Sequence, residues 1–252
     1  MNKEAASTSK VPEITLVFWA IKIAATTLGE TGGDALSMTL NLGYAVSSGI
    51  FLAFFVATVS GQLMARRFYR PLYWAVIVAT TTLGTTMADF ADRSLGIGYP
   101  GGSLILFAAV LLVLGAWRAV VGSVSVTAIT SPTVEAFYWA TILFSNTLGT
   151  ALGDWLADSG PGYEGGALVF AGLLAVIACA YFFTAISHTL LFWAAFILTR
   201  PLGATLGDLL TKPAANGGFN LSRIESSLVI AAFIIACVSV LPQRAGRHPG
   251  EA

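Results

Sequence analysis

Charged residues are scarce in this sequence. Asp, Glu, Lys and Arg make up 10% of its 252 residues, and 56% of the residues are hydrophobic. A typical soluble domain is about 25% charged, so this chain has too few hydrated side chains to cover a globular surface in water. The 13 basic and 13 acidic residues balance, and we therefore expect no nucleic acid among its partners.

Cysteine and histidine are also rare, with two of each. Cys179 and Cys237 lie inside apolar runs, which is typical of small core residues and not of a disulfide framework. His188 and His248 have no metal-ligand partner at helical spacing. The sequence has no nucleophile elbow, phosphate-binding loop or HExxH motif. We expect no enzyme and no cofactor, apart from a divalent cation that acidic residues could bind.

Long apolar runs recur along the chain. A helix needs about 20 residues to cross the hydrocarbon core, and the runs predict eight spans near residues 13–33, 41–64, 71–90, 102–121, 134–155, 166–186, 188–209 and 225–242. No small-residue cleavage site follows the polar first dozen residues, so we expect the first span to be retained. The sequence predicts one all-α membrane domain over residues 1–252. We expect short cytoplasmic tails over 1–12 and 243–252, with the first dozen and the last eight residues disordered.

Basic residues predict the orientation of these spans, since Lys and Arg concentrate in cytoplasmic segments. With both termini in the cytoplasm, the inner segments hold Lys3, Lys10, Arg66, Arg67, Arg70, Arg118, Arg244 and Arg247, and the outer ones hold Arg93, Lys212 and Arg223. Acidic residues gather on the outer side. We expect a multi-pass protein of the bacterial cytoplasmic membrane whose principal partner is the lipid bilayer.

A fourfold repeat dominates the sequence. The odd-numbered spans read FWAIKIAATTLGETGGD, YWAVIVATTTLGTTMAD, YWATILFSNTLGTALGD and FWAAFILTRPLGATLGD. Each has a tryptophan, a Leu-Gly whose glycine follows ten residues later, and an aspartate fifteen residues after the tryptophan. A Gly-rich segment, expected to form the outer turn, and a second apolar span complete each repeat. The repeats cover residues 13–68, 69–132, 133–187 and 188–242, and all point the same way because each has two spans.

This pattern resembles a family of bacterial membrane-anchored proteins made of four tandem repeats of unknown function. Each of their repeats has two transmembrane segments and a characteristic tryptophan. The resemblance covers roughly residues 13–242 and implies four parallel two-helix hairpins, with helices 1, 3, 5 and 7 as the inner bundle and helices 2, 4, 6 and 8 around them. It implies no substrate and no activity.

Small residues and tryptophans on the odd-numbered helices predict close packing. Small residues four apart on one helix face let helix backbones approach each other in lipid. The glycines at these positions are Gly29, Gly33, Gly84, Gly149, Gly153, Gly203 and Gly207, and the tryptophans are Trp19, Trp74, Trp139 and Trp193. We expect the tryptophans to form a packing or interface layer, with a cation-binding cage as the alternative.

Polar residues form one stripe along each odd-numbered helix, at positions three, seven, eleven and fifteen after the tryptophan. If the four helices converge, these stripes line a common axis. The polar stripe residues are Lys22, Thr26, Glu30, Asp34, Thr81, Thr85, Asp89, Asn146, Thr150, Asp154, Arg200 and Asp208. Charges inside a bilayer are costly and usually face a bundle interior.

Two interpretations of these charges remain open. Glu30 could neutralise Arg200 or Lys22 in a structural ion pair, as in a membrane binding or scaffold protein. Alternatively, Glu30, Asp34, Asp89, Asp154 and Asp208 supply hard oxygen ligands of the kind that magnesium, calcium or manganese prefers. The aspartates could also cap the following turns. The leading hypothesis is a transporter or channel for a small cation, divalent or proton-coupled.

Overall fold

Eight α-helices account for most of the chain. The computed structural model describes residues 10–124, 129 and 131–246. The helices are α1 (Leu16–Asp34), α2 (Gly43–Met64), α3 (Arg70–Asp89), α4 (Gly98–Val121), α5 (Pro132–Asp158), α6 (Gly162–Phe183), α7 (His188–Thr211) and α8 (Arg223–Val240). Every expected span coincides with one helix. We call α1, α3, α5 and α7 the motif helices, and α2, α4, α6 and α8 the return helices.

Five of the eight helices are long and apolar enough by themselves to cross a membrane, namely α2, α4, α6, α7 and α8. The other three, α1, α3 and α5, are motif helices with polar stripes. Most residues of the motif helices are buried, whereas few residues of the return helices are. The expected inner bundle and outer layer are confirmed, and the outer layer explains how α1, α3 and α5 can be polar inside a bilayer.

The Gly-rich segments lie at the outer turns, as the sequence predicts, and they also contribute the start of the return helix. In three repeats this helix begins at a glycine of the segment, namely Gly43, Gly98 or Gly162. Each of these glycines has a positive φ, between 68° and 74°. Glycine adopts this conformation without strain, so the chain can reverse direction at the first residue of the return helix.

The four motif helices form a closed ring in the order α1, α3, α5, α7 and back to α1. An aromatic layer forms where neighbouring motif helices meet, and it has the same contact at each of the four junctions between them. The residue before each tryptophan packs against the tryptophan of the next repeat. The ring centroids are 5.6 Å apart for Phe18–Trp74, 5.6 Å for Tyr73–Trp139, 6.2 Å for Tyr138–Trp193 and 6.0 Å for Phe192–Trp19. We call this end of the bundle the Trp end, and the opposite end the Asp end.

Each return helix packs mainly against the motif helix of the next repeat. Helix α2 covers α3, α4 covers α5, α6 covers α7, and α8 returns to cover α1. At the last of these junctions the Ser227 hydroxyl donates a 2.9 Å hydrogen bond to the Thr31 hydroxyl. The packing therefore crosses the repeat boundaries and joins the first and last repeats.

The tails are ordered where the structure describes them, so the expected disorder is wrong for residues 10–12 and 245–246. Pro12 and Ala245 form an antiparallel bridge at the Trp end, and Val11 is 1% exposed. Backbone hydrogen bonds from Glu13 N to Arg244 O and from Gly246 N to Val11 O join the two tails at this end. The remaining tail residues, 1–9 and 247–252, lie outside the described residues, as do Lys3, Arg247 and His248.

Close packing at the motif glycines leads to a prediction for Gly203. An added Cβ atom there would lie 2.5 Å from Thr26 Cβ and 2.7 Å from the Thr26 carbonyl carbon. We expect Gly203→Ala to lower the free energy of unfolding by about 1–3 kcal/mol through overpacking, measured by thermal unfolding in detergent.

The matched control is Gly172→Ala on α6. Nothing lies within 4 Å of an added Cβ at Gly172, so this variant should be unchanged or more stable by about 0.5–1 kcal/mol. Equal behaviour of the two variants would contradict the close junction between α1 and α7.

Candidate functional site

The polar stripes of the four motif helices meet inside the ring. The residue seven positions after each tryptophan packs against the Leu-Gly glycine of the preceding motif helix. The four pairs are Thr81 on Gly29, Asn146 on Gly84, Arg200 on Gly149 and Thr26 on Gly203. Only glycine leaves room for these contacts, because an added Cβ would lie 2.5 Å from Thr81 Cβ or from Arg200 Cγ.

The residues eleven positions after the tryptophans make the same kind of contact at three junctions, one helical turn closer to the Asp end. Thr85 packs on Gly33, Ala204 on Gly153 and Glu30 on Gly207. Threonine hydroxyls hold these junctions together by donating to backbone carbonyls of the neighbouring helix, for example Thr81 to Ala25 O and Thr85 to Gly29 O, both at 3.1 Å. The small residues therefore bring the stripes within hydrogen-bonding distance of each other.

Arg200 and Glu30 form a buried ion pair at the centre of the ring. Arg200 Nη2 lies 2.9 Å from Glu30 Oε2, and the two residues are 0% and 2% exposed. The same guanidinium donates to the hydroxyls of Thr85 and Thr150, so it contacts all three of the other motif helices. Of the two partners considered for Glu30, the structure selects Arg200.

Lys22 lies nearer the Trp end and is also fully buried. Its ammonium is 4.0 Å from the centroid of the Phe196 ring, and it has no hydrogen-bond partner among the described residues. Phe196, Ile77 and Ile142 occupy the same level, and each is 0% exposed. Together with the aromatic layer, these apolar side chains close the axis at the Trp end.

The four aspartates at the Asp end are buried, and two cations bridge them in pairs. Arg93 Nε lies 2.9 Å from Asp89 Oδ1, and its Nη2 lies 2.9 Å from Asp154 Oδ2. Lys212 Nζ lies 3.0 Å from both Asp34 Oδ2 and Asp208 Oδ1. The expected ring of carboxylates is thus present, but it is neutralised from within and does not form an open acidic mouth.

Sequence reasoning misses the bridging role of Arg93 and Lys212, because it uses both residues only to assign the orientation. A signal is present, since each lies four residues after an aspartate and so faces the same side of the helix. The corresponding positions in the first and third repeats hold Met38 and Asp158. The clamps therefore alternate around the ring, joining α3 to α5 and α7 to α1.

Both clamping cations lie outside the α-helices, and the carboxylates beside them favour their charged forms. Burial alone would lower the pKa of Lys212, but the Asp208 and Asp34 carboxylates outweigh burial and raise it above the ordinary value. The pKa of Arg93 is raised in the same way, since Asp89 and Asp154 outweigh its burial.

Three of the five candidate metal ligands come together in one cluster. Glu30, Asp34 and Asp208 each offer a carboxylate oxygen, and these oxygens lie within 4.8 Å of one another. The cluster lies between α1 and α7 and shares Glu30 with the central ion pair. Asp89 and Asp154 belong instead to the Arg93 bridge. Oxygen donors at this spacing suit a hard cation, and the residues present fit one.

A second polar cluster, not expected from the sequence, lies at the Trp end. Glu135 forms a 2.8 Å ion pair with Lys10 and accepts a hydrogen bond from Gln62. The hydroxyls of Tyr73 and Tyr138 are 3.0 Å apart beside the aromatic layer. These contacts fix the amino-terminal tail against α2 and α5, and they explain why Lys10 is buried. Sequence spacing gives no signal for them because their partners are remote in the chain.

A family model described as Repeat of Unknown Function (DUF347) matches four segments of the chain, residues 17–68, 72–122, 137–187 and 191–242. The chain belongs to this family. Each match contains one motif helix and one return helix. No curated protein and no solved structure matches the chain. The family's description names no activity, so a functional argument rests on the geometry inside the ring.

The central ion pair leads to a prediction about stability. Glu30→Met or Arg200→Met alone leaves a buried charge without its partner, which typically costs about 3–5 kcal/mol. We expect the double variant Glu30→Met/Arg200→Met to be destabilised by much less than the sum of the two losses, as measured by thermal or denaturant unfolding in detergent. Strict additivity of the two substitutions would show that the groups are not coupled.

Proposed function

We propose that the protein is a membrane transporter for a small cation, which binds at the cluster of Glu30, Asp34 and Asp208. The supporting observation is the cluster itself, in which three buried carboxylates from α1 and α7 converge at one point. Ionisable groups inside a membrane domain are costly, and they commonly mark ion pathways or proton relays. Candidate substrates are manganese, magnesium and calcium ions, with proton coupling as a further property.

The position of the Lys212 ammonium group supports cation binding at this cluster. Lys212 places its charge between Asp34 and Asp208, at 3.0 Å from each, which is where a substrate cation would find the same oxygens. A substrate must therefore displace Lys212 or bind beside it. In this proposal Glu30 and the two aspartates are ligands, and Arg200 holds Glu30 in position.

The closed Trp end favours a carrier over a permanently open channel. Ile77, Ile142 and Phe196 fill the axis at the level of Lys22, and none of them is exposed. A cation could leave through this end only after the motif helices separate. We propose a conformational change in which the two clamped helix pairs, α3 with α5 and α7 with α1, move relative to each other.

We further propose that the Trp end faces the cytoplasm of a bacterial cell and that the Asp end faces outward. Pro12 and Ala245, near the two ends of the chain, pair at the Trp end. Arg66, Arg67 and Arg118 follow or end return helices at that same end. This distribution agrees with the positive-inside rule.

A scaffold or binding protein is the second candidate. It is favoured by the partners that the interior cations already have: Arg200 pairs with Glu30, Arg93 with Asp89 and Asp154, and Lys212 with Asp34 and Asp208. In that case the charges only lock the helices together, and replacing them would change stability and no flux.

Flux measurements in liposomes test the proposal. We expect purified protein to carry Mn²⁺, Mg²⁺ or Ca²⁺ into liposomes that contain an ion-sensitive dye, with pH recorded in parallel. Asp34→Asn and Glu30→Gln should each lower the rate by roughly tenfold or more, which corresponds to about 1.4 kcal/mol of lost transition-state stabilisation.

The matched control is Asp158→Asn, which removes an exposed carboxylate at the Asp end and should leave the rate unchanged. Absence of any cation flux, or equal flux in the control and the two site variants, would contradict transport through this cluster and favour the scaffold.

A further inference from the structure

The charges around the carboxylate cluster indicate the valence of its ligand. Glu30, Asp34 and Asp208 carry three negative charges when ionised, and the buried Arg200 offsets one of them. Two more cations approach from the Asp end. Lys212 contacts Asp34 and Asp208, and Arg223 Nε lies 3.5 Å from Asp34 Oδ2. Lys212 and Arg223 thus supply the two positive charges that the cluster still requires.

These two cations differ from Arg200 in how they are held. Arg200 is 0% exposed and lies in the middle of α7. Lys212 is the residue directly after α7, and Arg223 is the first residue of α8, with 21% of its side chain exposed. The segment between them, Pro213 to Ser222, is largely exposed. Both side chains can therefore withdraw toward the Asp end without breaking a helix, whereas Arg200 cannot.

Asp34 retains ligand capacity that its present partners do not use. The residue is 1% exposed, and Lys212 and Arg223 both contact the same oxygen, Oδ2. The other oxygen, Oδ1, is buried and has no hydrogen-bond partner among the described residues. A buried carboxylate oxygen without a partner is costly, so Asp34 can accept a further ligand at Oδ1.

We propose that Lys212 and Arg223 together occupy the position of one divalent cation, so that the ligand is divalent and binds when both side chains withdraw. This inference rests on the proposed cation site, and it adds a structural reason for the divalent charge and the means by which the carboxylates are neutralised before the ion binds. The exchange keeps the charge constant, because two monovalent side chains are replaced by one ion of charge two. A monovalent ion would leave a carboxylate uncompensated. Hard oxygen ligands limit the choice to Mn²⁺, Mg²⁺ or Ca²⁺.

The Arg93 bridge provides an internal comparison. Arg93 lies between two carboxylates only, Asp89 and Asp154, and these two belong to no group of three ligands among the described residues. Removing Arg93 therefore leaves buried charges without creating a metal site. Like Lys212, Arg93 joins two buried aspartates of neighbouring motif helices, which makes Arg93→Met a suitable control for the loss of a clamp.

Thermal unfolding in detergent tests the exchange. We expect Lys212→Met/Arg223→Met to melt several degrees below wild type without metal, and MnCl₂, MgCl₂ or CaCl₂ to restore the loss, since a bound ion stabilises only the folded state. NaCl and KCl at equal ionic strength should not restore it. Arg93→Met should also be destabilised, but no divalent ion should rescue it.

Two results of the unfolding experiment would overturn the exchange. Recovery by monovalent salt would overturn the assigned valence. A loss that no cation restores, or an equal recovery of Arg93→Met, would show that Lys212 and Arg223 are only structural clamps.

A measurement on the wild-type protein covers the case in which the double variant does not fold. The chain has only four lysines, at positions 3, 10, 22 and 212, so an amine-reactive ester followed by mass spectrometry can measure the labelling of Lys212 separately from that of the others. We expect MnCl₂ to increase labelling of Lys212 several-fold, with Lys22 as an internal control that stays protected. Labelling of Lys212 that MnCl₂ does not change overturns the exchange.

The unfolding and labelling experiments test the exchange, and the flux experiment tests transport, so the two claims can fail independently. Divalent rescue and metal-dependent labelling without flux would leave a divalent site in a protein that is not a transporter. Flux without metal-dependent labelling would leave a transporter whose cation enters without displacing Lys212.

Discussion

The close approach of the four motif helices at their glycines is the constraint on which the rest of the structure depends. At Gly29, Gly149 and Gly203, a side chain of the neighbouring motif helix occupies the space that a Cβ atom would need. In lipid, such close packing and the hydrogen bonds it allows replace the hydrophobic driving force between helices. It also brings buried polar groups near enough to satisfy one another, without which they could not remain inside a bilayer.

The contacts between the motif helices are regular, whereas the polar side chains inside the ring differ from one repeat to the next. The aromatic layer and the glycine contacts recur at all four junctions, whereas Lys22, Glu30, Asn146 and Arg200 each occur in one repeat only. Three of these four residues, Glu30, Asn146 and Arg200, also pack on motif glycines. All four lie along one axis, with clamping cations at alternate junctions, so the chemistry inside the ring differs from repeat to repeat although the glycine contacts recur.

The fold follows from local patterns, and the pairing of charges does not. Apolar runs and the Trp-to-Asp spacing predict eight helices, a parallel repeat and an inner bundle, because helix periodicity and span length are properties of short segments. The partner of Glu30 cannot be chosen from the sequence, since Lys22 lies on its own helix and Arg200 is 170 residues away. The two clamps and the ion pair at Glu135 likewise depend on how remote parts of the chain are arranged around the ring.

The pairing of α8 with α1 has a consequence for biosynthesis. A membrane protein is inserted from its amino terminus, so α1, with Lys22 and Glu30 on its stripe, enters the bilayer before any residue that will shield it. Its ion-pair partner on α7 and its covering helix both belong to the last repeat. Helix α1 must therefore wait until translation is nearly finished, held by the insertion machinery or by temporary neighbours. A chain released early would expose these charges to lipid, and cellular quality control could recognise it by them.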